Sequence, residues 1–156
     1  MIYSYELEQH VLSGLLKIPE AYSEVASFLN AEDFYSENTH VHETIFKVLK
    51  MSLDIGEEVD EIVIAQRILD LNISFEDNID ITDFIQTLGM KKINKSGFIS
   101  AVKELKKLTI RRKIHSQALN LAKRMKSISN TLSFDDIIEE ADSIYNNEVD
   151  SYSMDK

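Results

Sequence analysis

KSGFISAVKELKKLTIRRKIHSQALNLAKRMKS, residues 95–127, is the stretch whose reading decides the fold. No proline interrupts it, and apolar side chains recur every three or four positions at Phe98, Val102, Leu105 and Leu108, then at Ile110, Ile114, Ala118, Leu121 and Met125. The spacing predicts one helix roughly 50 Å long at about 1.5 Å rise per residue. That is too long to be covered by a domain of this size. Gly97 falls in its first turn, where the helix-weakening effect of glycine is least. Downstream, Ser127-Ile-Ser-Asn-Thr131 reads as a turn and Ser133-Phe-Asp-Asp136 as a capping box, with Asp136 where Glu or Gln is more usual. Hydroxyl and carboxylate would each satisfy a free backbone N–H. A last helix then carries Phe134, Ile137, Ile138, Ala141, Ile144 and Tyr145. Two long amphipathic helices joined by a short turn make a helical hairpin over residues 94–148, with 149–156 a frayed tail.

Upstream, residues 1–93 read as a small globular helical head. Ser4 caps a first helix to Leu16 with the stripe Leu7, Val11, Leu12 and Leu15. Pro19 opens a second, burying Tyr22, Val25, Ala26 and Leu29. A connector over Asn30–Asn38 precedes a third helix with Val41, Ile45, Val48 and Leu49 inward. Val59 or Asp60 opens a fourth, with Ile62, Ala65, Ile68 and Leu69 inward, and Ile81, Phe84, Ile85 and Leu88 form a fifth that stops at Gly89. With one Pro and four Gly in 156 residues, and helical spacing almost throughout, the fold class is all-α.

Charge divides the chain into three blocks. Residues 1–90 hold 18 acidic and 4 basic side chains, a net −14; residues 91–126 hold 12 basic and one acidic, a net +11; residues 127–156 return to −7. An acidic body, a basic arm and an acidic tail favour docking of neighbouring segments, or of one chain's arm on another chain. The overall −10 argues against the whole surface being a nucleic-acid footprint. The absence of cysteine excludes disulfides, a thiolate nucleophile and a Cys-based zinc site. The N-terminus lacks the basic and apolar regions of a secretory signal, and no apolar run spans a bilayer, so the expectation is a cytoplasmic protein with no membrane contact.

No chemistry is legible. Gly14, Gly56, Gly89 and Gly97 do not fall into a phosphate-binding loop or a dinucleotide fingerprint. His40 and His42 flank Val41, but on a helix residues i and i+2 point about 200° apart and cannot share an ion, so both read as polar residues of a helix start. His10 and His115 are lone histidines on helices. The acidic pairs Glu57-Glu58, Glu76-Asp77, Asp135-Asp136 and Glu139-Glu140 read as solvated faces or helix-start charges. No catalytic, cofactor-binding or metal-binding residue is assigned. Two surfaces stand out instead. Val102, Leu105, Ile110, Ile114 and Leu121 on one helix, with Ile138, Ala141 and Ile144 on the other, give a stripe wider than one neighbour needs, and its simplest partner is a second copy. Lys103, Lys106, Lys107, Arg111 and Arg112 form a basic run that is either a solvated face, a contact for an acidic partner surface, or a DNA contact. DNA contact usually adds stacking aromatics, and none lies between Phe98 and Phe134.

The order of several stretches resembles the N-terminal domain of DnaB-type replicative helicases. Glu6–Leu16 is similar to that family's opening helix, with Pro19-Glu20 following. Glu32-Asp-Phe-Tyr35, then His40 and Ile45-Phe46, resemble its second signature. Val59-Asp60 with Ala65–Leu69 and the long helix with Arg111-Arg112 and Ala118/Ala122 complete the set. The chain departs from the pattern at Ser13, where the family's small residue is usually Gly, at Glu58 in place of a proline, and over Asn72–Asp80 in place of a Gly-rich stretch. The resemblance implies an oligomerisation and docking module: dimers built by heads and hairpins, three dimers forming a collar, and a primase or helicase loader as partner. It also implies nucleic acid at most indirectly, no cofactor, and no catalysis by this chain, with an ATPase domain following it in a full-length relative. The alternative is a stand-alone phage or mobile-element protein that binds a host helicase or primase as loader or inhibitor.

Overall fold

The computed structural model describes the backbone of residues 2–35, 40–75 and 78–153 and the side chains as far as Ile144. Among the described residues six α-helices follow one another: α1 (Tyr5–Lys17), α2 (Val41–Asp54), α3 (Glu61–Asp70), α4 (Ile81–Gly89), α5 (Lys95–Ser127) and α6 (Phe134–Ser153). Two 3-10 turns, Pro19–Glu24 and Ala31–Asp33, lie between α1 and α2. Among the described residues there is no strand. The expectations for residues 36–38 of the connector, for the pair Glu76-Asp77, for the Tyr145 side chain and for residues 154–156 lie outside what is described.

The chain divides into two compact units, Tyr3–Lys107 and Leu108 onward with Ile2. The division falls beyond residue 93 because the first part of α5 belongs to the first unit: Phe98, Ala101, Val102 and Leu105 are buried in its core. That core also takes Val11, Leu12 and Leu15 from α1 and Ile45, Phe46 and Leu49 from α2. Ile64 and Ile68 of α3 and Ile85 and Leu88 of α4 complete it. Each large side chain so buried contributes roughly 1.5–3 kcal/mol. The rings of Phe34 and Phe46 stack at 4.7 Å between centroids.

Local chemistry sets the helix starts. The Ser4 hydroxyl accepts from the Leu7 N–H at 3.2 Å. One Asp60 oxygen accepts from the Ile62 and Val63 N–H groups at 2.8 and 3.1 Å. Asp80 accepts from the Asp83 N–H at 3.1 Å and the Asn94 amide oxygen from the Gly97 N–H at 2.7 Å. Each satisfies a donor that the first helical turn leaves free. The segment opened by Pro19 forms only a 3-10 turn, closed by i→i−3 bonds such as Val25 N–H to the Tyr22 carbonyl, yet Tyr22, Val25 and Leu29 are buried as expected.

Several polar knots lie within the first unit. Glu8, fully buried, accepts from the His42 Nδ1–H at 2.8 Å through one oxygen and from the Tyr35 N–H at 3.2 Å through the other. His42 Nε2, 3.4 Å from the Gln9 amide nitrogen, is then left to accept, so both ring nitrogens have a partner. Asp33, also fully buried, accepts from the Asn30 N–H at 2.8 Å and pairs with the Lys106 ammonium at 2.9 Å. Arg67 pairs with Glu57 and donates to the Ser52 hydroxyl at 2.7 Å.

In the second unit, the later part of α5 and α6 are joined by a turn and linked by an ion pair between Arg124 and Glu140. The Ser133 hydroxyl accepts from the Asp136 N–H at 3.1 Å, the expected half of the capping box. Among the described residues the return bond from the Asp136 carboxylate to the Ser133 N–H is not formed. The carboxylate is one methylene shorter than the Glu that the motif normally uses. α6 runs on to Ser153, past residue 149 where fraying was expected.

Candidate self-association and docking surfaces

The expected self-association residues part company. Val102 and Leu105 are fully buried in the core of the first unit and so are not available to a second copy. Ile110, Leu121, Ala141 and Ile144 are half-buried in the second unit, whereas Ile114 and Ile138 face solvent. Two further side chains join these. Phe134 is 88% exposed and Ile138 60%, one helical turn apart on α6, and Leu119 is exposed on α5. A phenylalanine left in water at the first position of a helix forgoes most of its burial energy. Sequence reasoning placed Phe134 in the helix stripe without giving it to the surface. Its i, i+4 relation to Ile138 was the signal.

The basic run divides as well. Lys103 and Arg111 are exposed, and Lys107 is exposed and paired with Glu104 at 3.0 Å. Lys106 is mostly buried on Asp33, so its charge is spent inside the first unit. Arg112 is half-buried and donates to the Ile2 carbonyl at 2.8 Å and to the Thr109 hydroxyl at 3.1 Å, an internal tie of the second unit. The surface expected from five cations is therefore carried by three. Near the turn, the hydrogen bond to Glu140 raises the Arg124 pKa.

His40 begins α2 in the left-handed conformation, at φ 54°, and is exposed; His42 is buried on Glu8. The two point in different directions, as the spacing requires, but burial of His42 was not expected from sequence. Among the described residues no group of three or more His, Asp or Glu side chains gathers as for a metal ion, and no helix is long and apolar enough to cross a membrane.

The model of the DnaB-like helicase N-terminal domain family matches residues 1–140 of this chain. Among solved structures, the fold is similar to the crystal structure of the N-terminal domain of DnaB helicase from Mycobacterium tuberculosis. The TM-score is 0.74 at 16% sequence identity, over 93% of this chain and 97% of that one. At that identity the likeness concerns the fold. No curated protein matches the sequence. The region matched is the N-terminal part of such replicative helicases, which is not their catalytic part; the ATPase lies in their C-terminal domain. An all-helical first unit, a helical second unit and a family match over nine-tenths of the length lead to one conclusion: the chain belongs to the family of DnaB-like helicase N-terminal domains.

Proposed function

We propose that this domain works by assembling with copies of itself through the second unit and by offering the assembly as a docking platform for a primase or a helicase loader. The observation that carries the reading is the exposure of Phe134, Ile138, Ile114 and Leu119, four large apolar side chains in water on the second unit. Self-association is the economical way to cover such a surface, because a two-fold contact hides the same residues twice. A collar of three dimers is the form that family membership suggests, and the exposed Lys103, Lys107 and Arg111 would then serve as contacts for an acidic partner surface.

Light scattering over a concentration series tests the first step. Dimers or larger species are expected, and a Phe134→Glu/Ile138→Glu variant should be monomeric with unchanged helix content. Each buried apolar side chain lost from such a contact is worth about 1.5–3 kcal/mol, so two of them shift a micromolar dimer beyond reach. A wild-type chain that stays monomeric at millimolar concentration removes the proposal.

A further inference from the structure

The first unit carries a second unpartnered surface, unrelated to the exposed residues of the second. Where α2 and α3 end, Met51, Ile55 and Leu71 are 67%, 74% and 51% exposed around a groove floored by the buried Val48. Val48, Met51 and Ile55 follow one another at i, i+3 and i+7 along α2, so the apolar stripe continues from the core out into solvent.

The groove's edge runs against helix electrostatics. Asp54 lies in the last turn of α2, which has no basic residue, and Asp70 in the last turn of α3. A helix C-terminus carries partial negative charge and favours cations, so two carboxylates there are an unfavourable arrangement unless a cation is supplied. The protein supplies one to Asp54. Lys50 reaches back to Asp54 at 2.6 Å, in the less favourable order for an i, i+4 pair, and the Tyr22 hydroxyl donates to the same carboxylate at 3.1 Å. Asp70 accepts only from the Gln66 amide at 2.9 Å. Arg67, beside it, is engaged by Glu57 and Ser52. Asp54 is thus compensated within the chain, its carboxyl held below the ordinary value by Lys50 and Tyr22, whereas Asp70 has no cation paired with it among the described residues, in a stretch, residues 1–90, that holds 18 acidic and 4 basic side chains.

The geometry points to this groove as the docking site for a basic amphipathic helix of a partner protein, its apolar side chains seated among Met51, Ile55 and Leu71 and its Lys or Arg residues on Asp70. Helix-in-groove recognition reads such a ligand by anchors one turn apart, with charge setting its orientation.

A labelled 14-residue peptide of leucine and lysine at helical spacing, titrated against the 156-residue chain and followed by fluorescence anisotropy, tests this. The peptide with glutamate in place of lysine is the control. Saturable binding of the lysine peptide alone is expected, at least tenfold weaker for Met51→Ser/Ile55→Ser and for Asp70→Asn. All three side chains are exposed, so circular dichroism should show the variants folded. Asp70→Asn leaves the Tyr22–Asp54–Lys50 bonds in place. Equal affinity for both peptides overturns the proposal, and so does lysine-peptide binding that the Met51→Ser/Ile55→Ser change leaves intact, since that is mere attraction to an acidic surface. A lysine peptide that never saturates also overturns it. So does Met51→Ser/Ile55→Ser reducing self-association in light scattering, because the occupant is then a second copy.

Discussion

Two neighbouring residues of α1 show how finely the first unit is packed. A methyl group added at Gly14 would lie 2.1 Å from the Phe98 ring, which is fully buried and has nowhere to swing. Alanine gains about 0.5–1 kcal/mol of helix propensity over glycine, but overpacking a closed site costs about 1–3 kcal/mol, so Gly14→Ala should be net destabilising in urea unfolding. One residue earlier the sign reverses. The Ser13 hydroxyl is fully buried and has no hydrogen-bond partner, a desolvation cost of about 1–3 kcal/mol, so Ser13→Ala should stabilise. A Ser13→Ala midpoint below the wild type would mean that the hydroxyl is satisfied after all. Lys106 offers a third measurement. Removing its ammonium takes the cation from the fully buried Asp33, which keeps its bond from the Asn30 N–H, so Lys106→Met should cost up to about 3–5 kcal/mol, whereas Lys103→Met on the exposed side of the same helix should change stability by less than about 0.5 kcal/mol. Similar costs for the two would show that the Asp33 pair contributes nothing special.

Among the elements, α1, α2 and α4 were legible because their apolar residues fall on a single stripe, and α5 because apolar residues recur every three or four positions with no proline between them. α3 was not. Apolar residues occupy Ile62, Val63, Ile64, Ala65, Ile68 and Leu69, so the periodicity names no unique face. Ile62 and Leu69 were expected inward and are exposed, while Ile64, Ala65 and Ile68 are buried. Only the neighbours decide such a case. The buried acids were illegible for a related reason: Glu8 meets His42 and Asp33 meets Lys106 from far along the chain, and no local pattern announces either. Of the candidate surface, Ile114 and Ile138 are exposed, whereas Val102 and Leu105 are buried in the core and Lys106 is mostly buried on Asp33. The tie between Glu57, at the start of the link from α2 to α3, and Arg67 of α3 has a pH signature. The hydrogen bond from Arg67, helped by Ser52, holds the Glu57 carboxyl below its ordinary value. Its contribution is therefore present above the usual carboxylate range and is lost as pH falls through the depressed pKa. Thermal melts from neutral pH downward should show this loss diminished in Glu57→Gln. Parallel curves for the two proteins would show that the pair is screened by water.

Across the whole molecule, α5 is shared: one uninterrupted backbone serves the core of the first unit up to Lys107 and the surface of the second beyond it. Its amides therefore sit in two environments while sharing one hydrogen-bond ladder. Protection against deuterium uptake reports local opening, and opening is easiest where few apolar side chains are held. Amides up to Lys107 should exchange only with global unfolding, and those of residues 108–127 much sooner in dilute solution. If copies associate through the second unit, raising the concentration should slow uptake in residues 108–144 and leave the earlier part of α5 unchanged. Uniform uptake along the helix at every concentration would contradict both the division and the assembly. A helix whose first part is held in a core and whose later part is mostly exposed thus keeps its own time: the same helix would be a slow clock at one end and, until another molecule arrives, a fast one at the other.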